Sequence, residues 1–215
     1  MTQRRQLKDM PSRIARLPRD MRGYPIPKFV QYINGEPDFR IVSADHMARC
    51  IKRSLCWICG DVLGSHKAFS VGPMCCINRI SAEPPAHLEC ATFAAKVCPF
   101  LSNPLAKRRE RNLPEERMVA GMMIEDNPGM TAIWVTRFYS LMFPRNGVLF
   151  CLGDPVALEF YKEGRPASRA EVDATISERF PILEKVARKD GRGAVAELNR
   201  QRRRFDALLD ARVPA

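Results

Sequence analysis

The chain has 215 residues, enough for one domain or two small ones with a sizeable core. Its 46% hydrophobic share is that of a soluble globular protein, and no apolar run reaches membrane-spanning length, which excludes an integral membrane protein of the helical kind. Lysine and arginine (35) outnumber aspartate and glutamate (24) by 11, so the expected partners are polyanions, nucleic acid first and acidic proteins second, against a plainer reading in which the charge serves solubility alone.

In chain order, residues 1–22 hold seven Arg or Lys against two Asp and read as a basic, flexible arm. A zinc-binding unit is expected over 23–104. It opens on the stiff Tyr24-Pro-Ile-Pro27 segment and two short strands, Phe29 to Ile33 and Phe39 to Val42. Asn34-Gly35 between them is a hairpin signal, and Glu36-Pro37-Asp38 is read as lengthening the loop. Ser43 caps a helix running to about Leu55, with Asp45 in its first turn.

The stretch from Cys56 to Cys98 holds six of the eight cysteines and two of the three histidines. Cys56-Trp-Ile-Cys59-Gly60 has the form of a zinc knuckle, two thiolates on a tight turn that glycine allows to fold back. His87-Leu-Glu-Cys90 opens a helix after Pro84-Pro85, and residues three apart on a helix share a face. The 27 residues between the two pairs have room for a β-hairpin, so the layout predicted is that of a treble clef around one structural Cys3His zinc ion. Cys98 lies eight positions beyond Cys90, about 12 Å along a helix, and is the weaker candidate. Cys75 and Cys76 read as buried small residues of the hairpin, although either can substitute as a ligand. A redox reading of the CxxC lacks its βαβ setting, and disulfides lack an export segment, so the expected compartment is the reducing cytoplasm.

A connector and an antiparallel β meander are expected over 105–167, starting from the charge run Lys107-Arg108-Arg109-Glu110-Arg111. Strands follow at Thr131 to Phe143, Val148 to Leu152 and Val156 to Tyr161, punctuated by Asn127-Pro128-Gly129, Asn146-Gly147 and Gly153-Asp154-Pro155. Residues 168–215 form helices. Ser168-Arg-Ala-Glu171 is a capping box, Val172, Ile176 and Phe180 make one stripe, and Pro181 ends or kinks the helix. The last helix, about Ala194 to Ala211, buries Val195, Leu198, Phe205, Leu208 and Leu209, with Arg202 falling on that stripe and calling for an ion pair or a partner. No internal repeat is present.

Three catalytic chemistries are weighed. An HNH-type nuclease needs a histidine base, an orienting asparagine and a metal ligand on the helix; His66, Asn78 and His87 occur in that order. That assignment takes His87 from the zinc site, and His66 lacks an acidic neighbour. A zinc deaminase is matched by His87-Leu-Glu89, but there the CxxC follows, and Cys90 here closes the coordination sphere. No cysteine–histidine nucleophile and no phosphate-cradling glycine loop stands out.

The segments CWICG through GPMCCINRISAEPPAHLECATFAAKVCPFL, IEDNPGM and GDPVALEFYKEGRPASRAEV resemble a group of uncharacterised proteins from bacteria and their phages. The resemblance implies a zinc-binding protein of phage or mobile-element type and supplies no activity. The resulting expectation is an α+β protein: a treble-clef-like zinc-binding N-terminal half, then a small antiparallel sheet with C-terminal helices. Its expected role is non-catalytic binding of nucleic acid or a nucleoprotein complex through Arg4, Arg5, Lys107, Arg108, Arg109, Arg202, Arg203 and Arg204. A nuclease, or a protein–protein adaptor without nucleic-acid affinity, is the alternative.

Overall fold

The computed structural model describes residue 7 and residues 9–102, 129–145 and 147–213. Arg4 and Arg5, the Lys107–Arg109 run, and the expected turns at Asn127-Pro128 and at Asn146 lie outside these. The protein is α+β, and its residues alternate between the two faces of one central sheet.

Helix α1 (Ser12–Ala15) comes first, inside the stretch expected to be a free arm. Its Ile14 is 1% exposed and Leu17 just beyond it 6%, so residues 12–22 are docked rather than loose. Burying the two side chains stabilises that contact by about 1.5–3 kcal/mol each. The arginine-rich composition hid them because only two apolar residues are needed.

Strands β1 (Val30–Ile33) and β2 (Glu36–Val42) form the expected hairpin with a tighter loop than its sequence implied. Ile33 pairs with Glu36, leaving two loop residues, Asn34 and Gly35, both with positive φ (51° and 85°) as a type I′ turn requires. Pro37 is tolerated inside β2 because it faces Tyr32 at a site whose N–H points away from the partner strand. Helix α2 (Ala44–Arg53) is capped by the Ser43 hydroxyl, which accepts from the His46 N–H at 3.2 Å.

The hairpin expected between the two ligand pairs does not form. In its place are strand β3 (Lys67–Val71), helix α3 (Pro73–Asn78) and strand β4 (Ile80–Ser81). What remains of a hairpin is a single bridge, Ala68 with Ala86, exchanging bonds of 2.9 and 2.7 Å. Cys75 and Cys76 therefore sit on a helix, Cys76 buried against the core and Cys75 exposed. Helix α4 (Leu88–Val97) follows, then a short α5 (Pro99–Ser102).

Strand β5 (Met130–Thr136), MTAIWVT, is buried at every position, so it reads as a run of apolar and β-branched residues rather than an alternation. Arg137 and Phe138 then break the long strand predicted there, and β6 (Tyr139–Met142) runs back against β7 (Leu149–Leu152). Strands β8 (Pro155–Lys162) and β9 (Arg165–Pro166) end the β region. These strands are not a self-contained meander. One antiparallel sheet has the order β3-β5-β8-β9 and the other β4-β7-β6, so each takes a strand from the first hundred residues. Phe69 of β3 lies opposite Trp134 of β5, which lies opposite Leu158 of β8.

Each face of the central sheet carries its own core. Phe69, Ala132, Trp134, Leu158 and Phe160 point to one side, against α3, Phe150 of β7 and the C-terminal helices α6 (Arg169–Lys189) and α7 (Arg192–Arg212). Ala68, Ile133, Val135 and Tyr161 point to the other, against Ile14, Leu17, the Cys56–Cys59 turn and Ala91, Phe93 and Ala95 of α4. Val172 and Ile176 are fully buried and Phe180 packs on the core as the stripe predicted. Pro181 does not end α6: it removes one helical hydrogen bond, and the packing of Phe180 and Leu183 on either side carries the helix through. In α7, Leu198, Phe205 and Leu209 are buried. Among the described residues no helix is long and apolar enough to cross a membrane.

The capping box of α6 is present in full. The Glu171 carboxylate takes the Ser168 N–H at 3.0 Å and both terminal nitrogens of Arg165, at 2.9 and 2.6 Å. Arg165 first, then the Ser168 N–H, hold this carboxyl down to about 2. The folded value lies below an ordinary glutamate's, about 4.3, so the contribution is complete above that pH and disappears as pH falls toward the folded value. We expect Glu171→Gln to melt below wild type at neutral pH. The difference should narrow steadily as pH drops from about 4.3 toward the folded value, as read by thermal melts. A difference that stays constant across that window contradicts the assignment.

Candidate metal centre

Cys56 and Cys59 are placed by a turn that is closed from three sides. The Gly60 N–H donates to the Cys56 carbonyl at 2.9 Å, and Gly60 has φ +80°, which only glycine adopts without strain. Leu55 and Val62 bridge across the base of the turn. The Cys56 N–H donates to Asp61, the Trp57 N–H to Pro85 and the Lys28 N–H to Ile58, at 2.7, 3.0 and 2.8 Å. Trp57 itself is 3% exposed, stacked on Phe29 at 4.9 Å and on His46 at 5.5 Å. Pro84-Pro85 delivers the chain to His87, the N-cap of α4, so that His87 and Cys90 lie in and beside its first turn.

These two halves meet. One donor atom from each of Cys56, Cys59, His87 and Cys90 lies within 4.8 Å of all the others. The three cysteines are buried and His87 is half-buried. No other group of three or more such side chains comes together among the described residues. A tetrahedral ion with thiolate bonds of about 2.3 Å needs its sulfurs about 3.8 Å apart, so the spread fits one ion with small adjustments.

The surrounding hydrogen bonds are those a metal site needs. His87 Nε2–H donates to the Val62 carbonyl at 3.0 Å, which puts the proton on Nε2 and leaves Nδ1, 3.4 Å from Cys59 Sγ, free to ligate. The N–H groups of Cys59 and His87 point at Cys56 Sγ, at 3.5 and 3.4 Å. The neighbouring Cys59 and Cys90 thiols do most to lower the Cys56 thiol. Cys59 is pushed up to about 11 and Cys90 is raised as well, each first by its contact with Cys56. Three thiols packed this closely cannot all ionise in the absence of a cation; a divalent ion removes that conflict.

Arg13 ties the two halves from outside. Its guanidinium bonds Asp61 at 2.8 Å, beyond the turn, and Glu89 at 3.0 Å, between the helical ligands, while Arg16 also reaches Asp61 at 2.6 Å. These pairs are partly exposed and stabilise the fold little in water. They serve to link the residue after the turn to the first turn of α4.

The sequence brought together the four ligands but missed Arg13, His46 and the Val62 carbonyl. Arg13 was lost in a run of like charge, His46 is a lone histidine on a polar helix, and a backbone carbonyl carries no sequence signal. Of the other predicted residues, Cys98 caps the far end of α4 and is not part of the cluster. His66 and His87 both line an open groove of about 730 Å³ along α4, together with Arg13, Glu89 and Lys96, whereas Asn78 lies at the end of α3 and does not line it. Arg202 is used within the fold: it pairs with Asp206 at 2.8 Å and stacks 5.2 Å over the Phe180 ring, while Arg203 and Arg204 are exposed. No family model, no curated protein and no solved structure matches this chain.

The native protein should carry one metal ion per chain by elemental analysis. Cys59→Ala should lose the ion and unfold in large part, since ion binding at such a site is folding energy. Cys98→Ala should keep it. Retention of a full complement by Cys59→Ala contradicts the ligand assignment.

Proposed function

We propose that the chain is a non-catalytic, zinc-stabilised binding protein that engages nucleic acid through its basic surface. Three thiolates and one imidazole suit zinc among the common divalent ions. With four protein donors the shell is closed, so the ion has no position for an activated water and its role is structural. Structural zinc contributes about 10–16 kcal/mol in small domains, which adds to the apolar contacts between the turn and the helix. A knuckle whose partner ligands come from the first turn of a helix is the ligand plan of a treble clef; a helix and a short strand stand here where its hairpin would be.

The observation that carries the nucleic-acid reading is the charge left after the fold has used what it needs. Arg13, Arg16, Arg165, Arg169, Arg200 and Arg202 are bonded to carboxylates. Arg49, Lys52 and Arg53 on α2, and Arg203 on α7, are exposed and have no carboxylate partner among the described residues. Unpaired guanidinium groups are well shaped for phosphate oxygens. Binding of this kind is sequence-tolerant and salt-sensitive, because its free energy comes from counterion release.

A fluorescence anisotropy titration with labelled oligonucleotides at several salt concentrations tests the reading. Binding in the micromolar range at low salt is expected, weakening steeply as salt rises. No binding at tens of micromolar protein overturns it in favour of a protein–protein adaptor. A second reading, a metal-dependent nuclease, is favoured only by His66 and His87 sharing one groove. We expect no cleavage of DNA or RNA with magnesium or manganese ions; cleavage abolished by His66→Ala in a folded protein would establish the nuclease instead.

A further inference from the structure

Phe138 and Phe143 bracket strand β6 and are 78% and 73% exposed, the two most exposed aromatic side chains among the described residues. Exposure of a single phenyl ring is ordinary; the support under this one is not. The Phe138 carbonyl accepts from the Gly153 N–H at 3.1 Å and from the Thr136 hydroxyl at 3.0 Å. The Phe138 N–H donates back to Thr136 Oγ1 at 3.3 Å, and Thr136 is 1% exposed. Gly153 is in turn held by Trp134, whose indole N–H donates to its carbonyl at 2.9 Å. A Cβ on Gly153 would stand 2.4 Å from the Phe138 carbonyl oxygen, so the approach needs glycine. The fully buried strand β5 thus ends in a hydrogen-bonded support beneath an apolar ring held in water.

The flanking charge says what the ring is for. Arg137 and Arg145 are exposed at the two ends of this β6 segment and have no partner among the described residues. Between them Ser140 and Met142 are exposed, and β6 is the outer strand of its sheet. An exposed aromatic residue one or two positions from an exposed arginine, at each end of β6, offers stacking faces to bases and charge to phosphates. The four residues of β6, about 13 Å of strand, separate Phe138 from Phe143, so they serve different bases rather than clamp one. Bases inside a duplex already stack on each other and present no free face. We propose that Arg137, Phe138, Phe143 and Arg145 form a stacking platform for single-stranded nucleic acid along the edge of β6.

This platform rests on the nucleic-acid reading above and gives it a place and a preferred form. The test uses the full chain and a labelled twenty-nucleotide oligothymidylate, alongside an abasic strand of equal length and a duplex. Phe138→Ala and Phe143→Ala are each expected to weaken binding to the oligothymidylate roughly five- to a hundredfold. Phe138→Trp should retain binding, and its indole emission should be quenched as thymidylate is added. Arg137→Gln should flatten the slope of log affinity against log salt by about 0.7. All four variants should keep the metal content and melting temperature of wild type, since none of these side chains is buried. Wild-type binding that both alanine variants retain, or equal affinity for the abasic strand or the duplex, overturns the platform while leaving general nucleic-acid binding in place. An absence of any wild-type binding overturns both.

Discussion

The closure of the Cys56–Cys59 turn against the first turn of α4 is the constraint on which one whole side of the molecule depends. The two segments share a small apolar core, with Ile58 and Leu63 in one cluster with Ala91 and Phe93, and are tied further by the Trp57–Pro85 backbone bond and the partly exposed Arg13 bridges. Three thiols and an imidazole brought within 4.8 Å are an unfavourable arrangement by themselves, because desolvation and mutual repulsion oppose every ionisation after the first. A divalent ion reverses the sign of that interaction. The same four side chains then change from a source of strain into the strongest link between turn and helix, and α1 docks onto the surface they create through Ile14 and Leu17.

Strand β5 connects this side to the other. Its alternate residues, Ile133 and Val135 against Ala132 and Trp134, feed two separate cores through one buried backbone. The metal side is built of short elements and one ionic cluster, the opposite side of long helices and large apolar side chains. The division explains the uneven use of arginine. Around the Cys/His cluster, and along α6 and α7, guanidinium groups lock elements together; on α2 and at the β6 edge they are left to solvent.

What could be read in the sequence was what a few consecutive residues decide. The CxxC turn, the His87–Cys90 pair, the Ser43 cap and the Ser168–Glu171 capping box each depend on spacings of three or four positions, and all are present. The strands themselves were legible, but not their partners. Nothing local tells Phe69 to seek Trp134, so β3 was assigned to a hairpin with its neighbours, and the later strands to a meander of their own. The arm differs for another reason: a mean over twenty residues is dominated by charge, while docking rests on a few apolar side chains, chiefly Ile14 and Leu17, and on the Arg13 and Arg16 bridges. At Pro37 a general rule against proline in strands gave way to the particular register of a two-stranded edge.

The pairing of β3 with β5 also fixes an order of events during synthesis. All four candidate ligands have been translated once Cys90 is added, whereas the strand that supplies Ile133 and Val135 beneath them starts only at Met130. At ordinary elongation rates the forty residues between take roughly 2–8 s, during which β3 has no partner edge. Loop closure over so long a span is slow, and an unpaired apolar strand is the kind of surface on which nascent chains associate. The four side chains of the Cys/His cluster are all available in that interval, so the turn and the start of α4 have their own means of meeting before β3 has a strand to pair with.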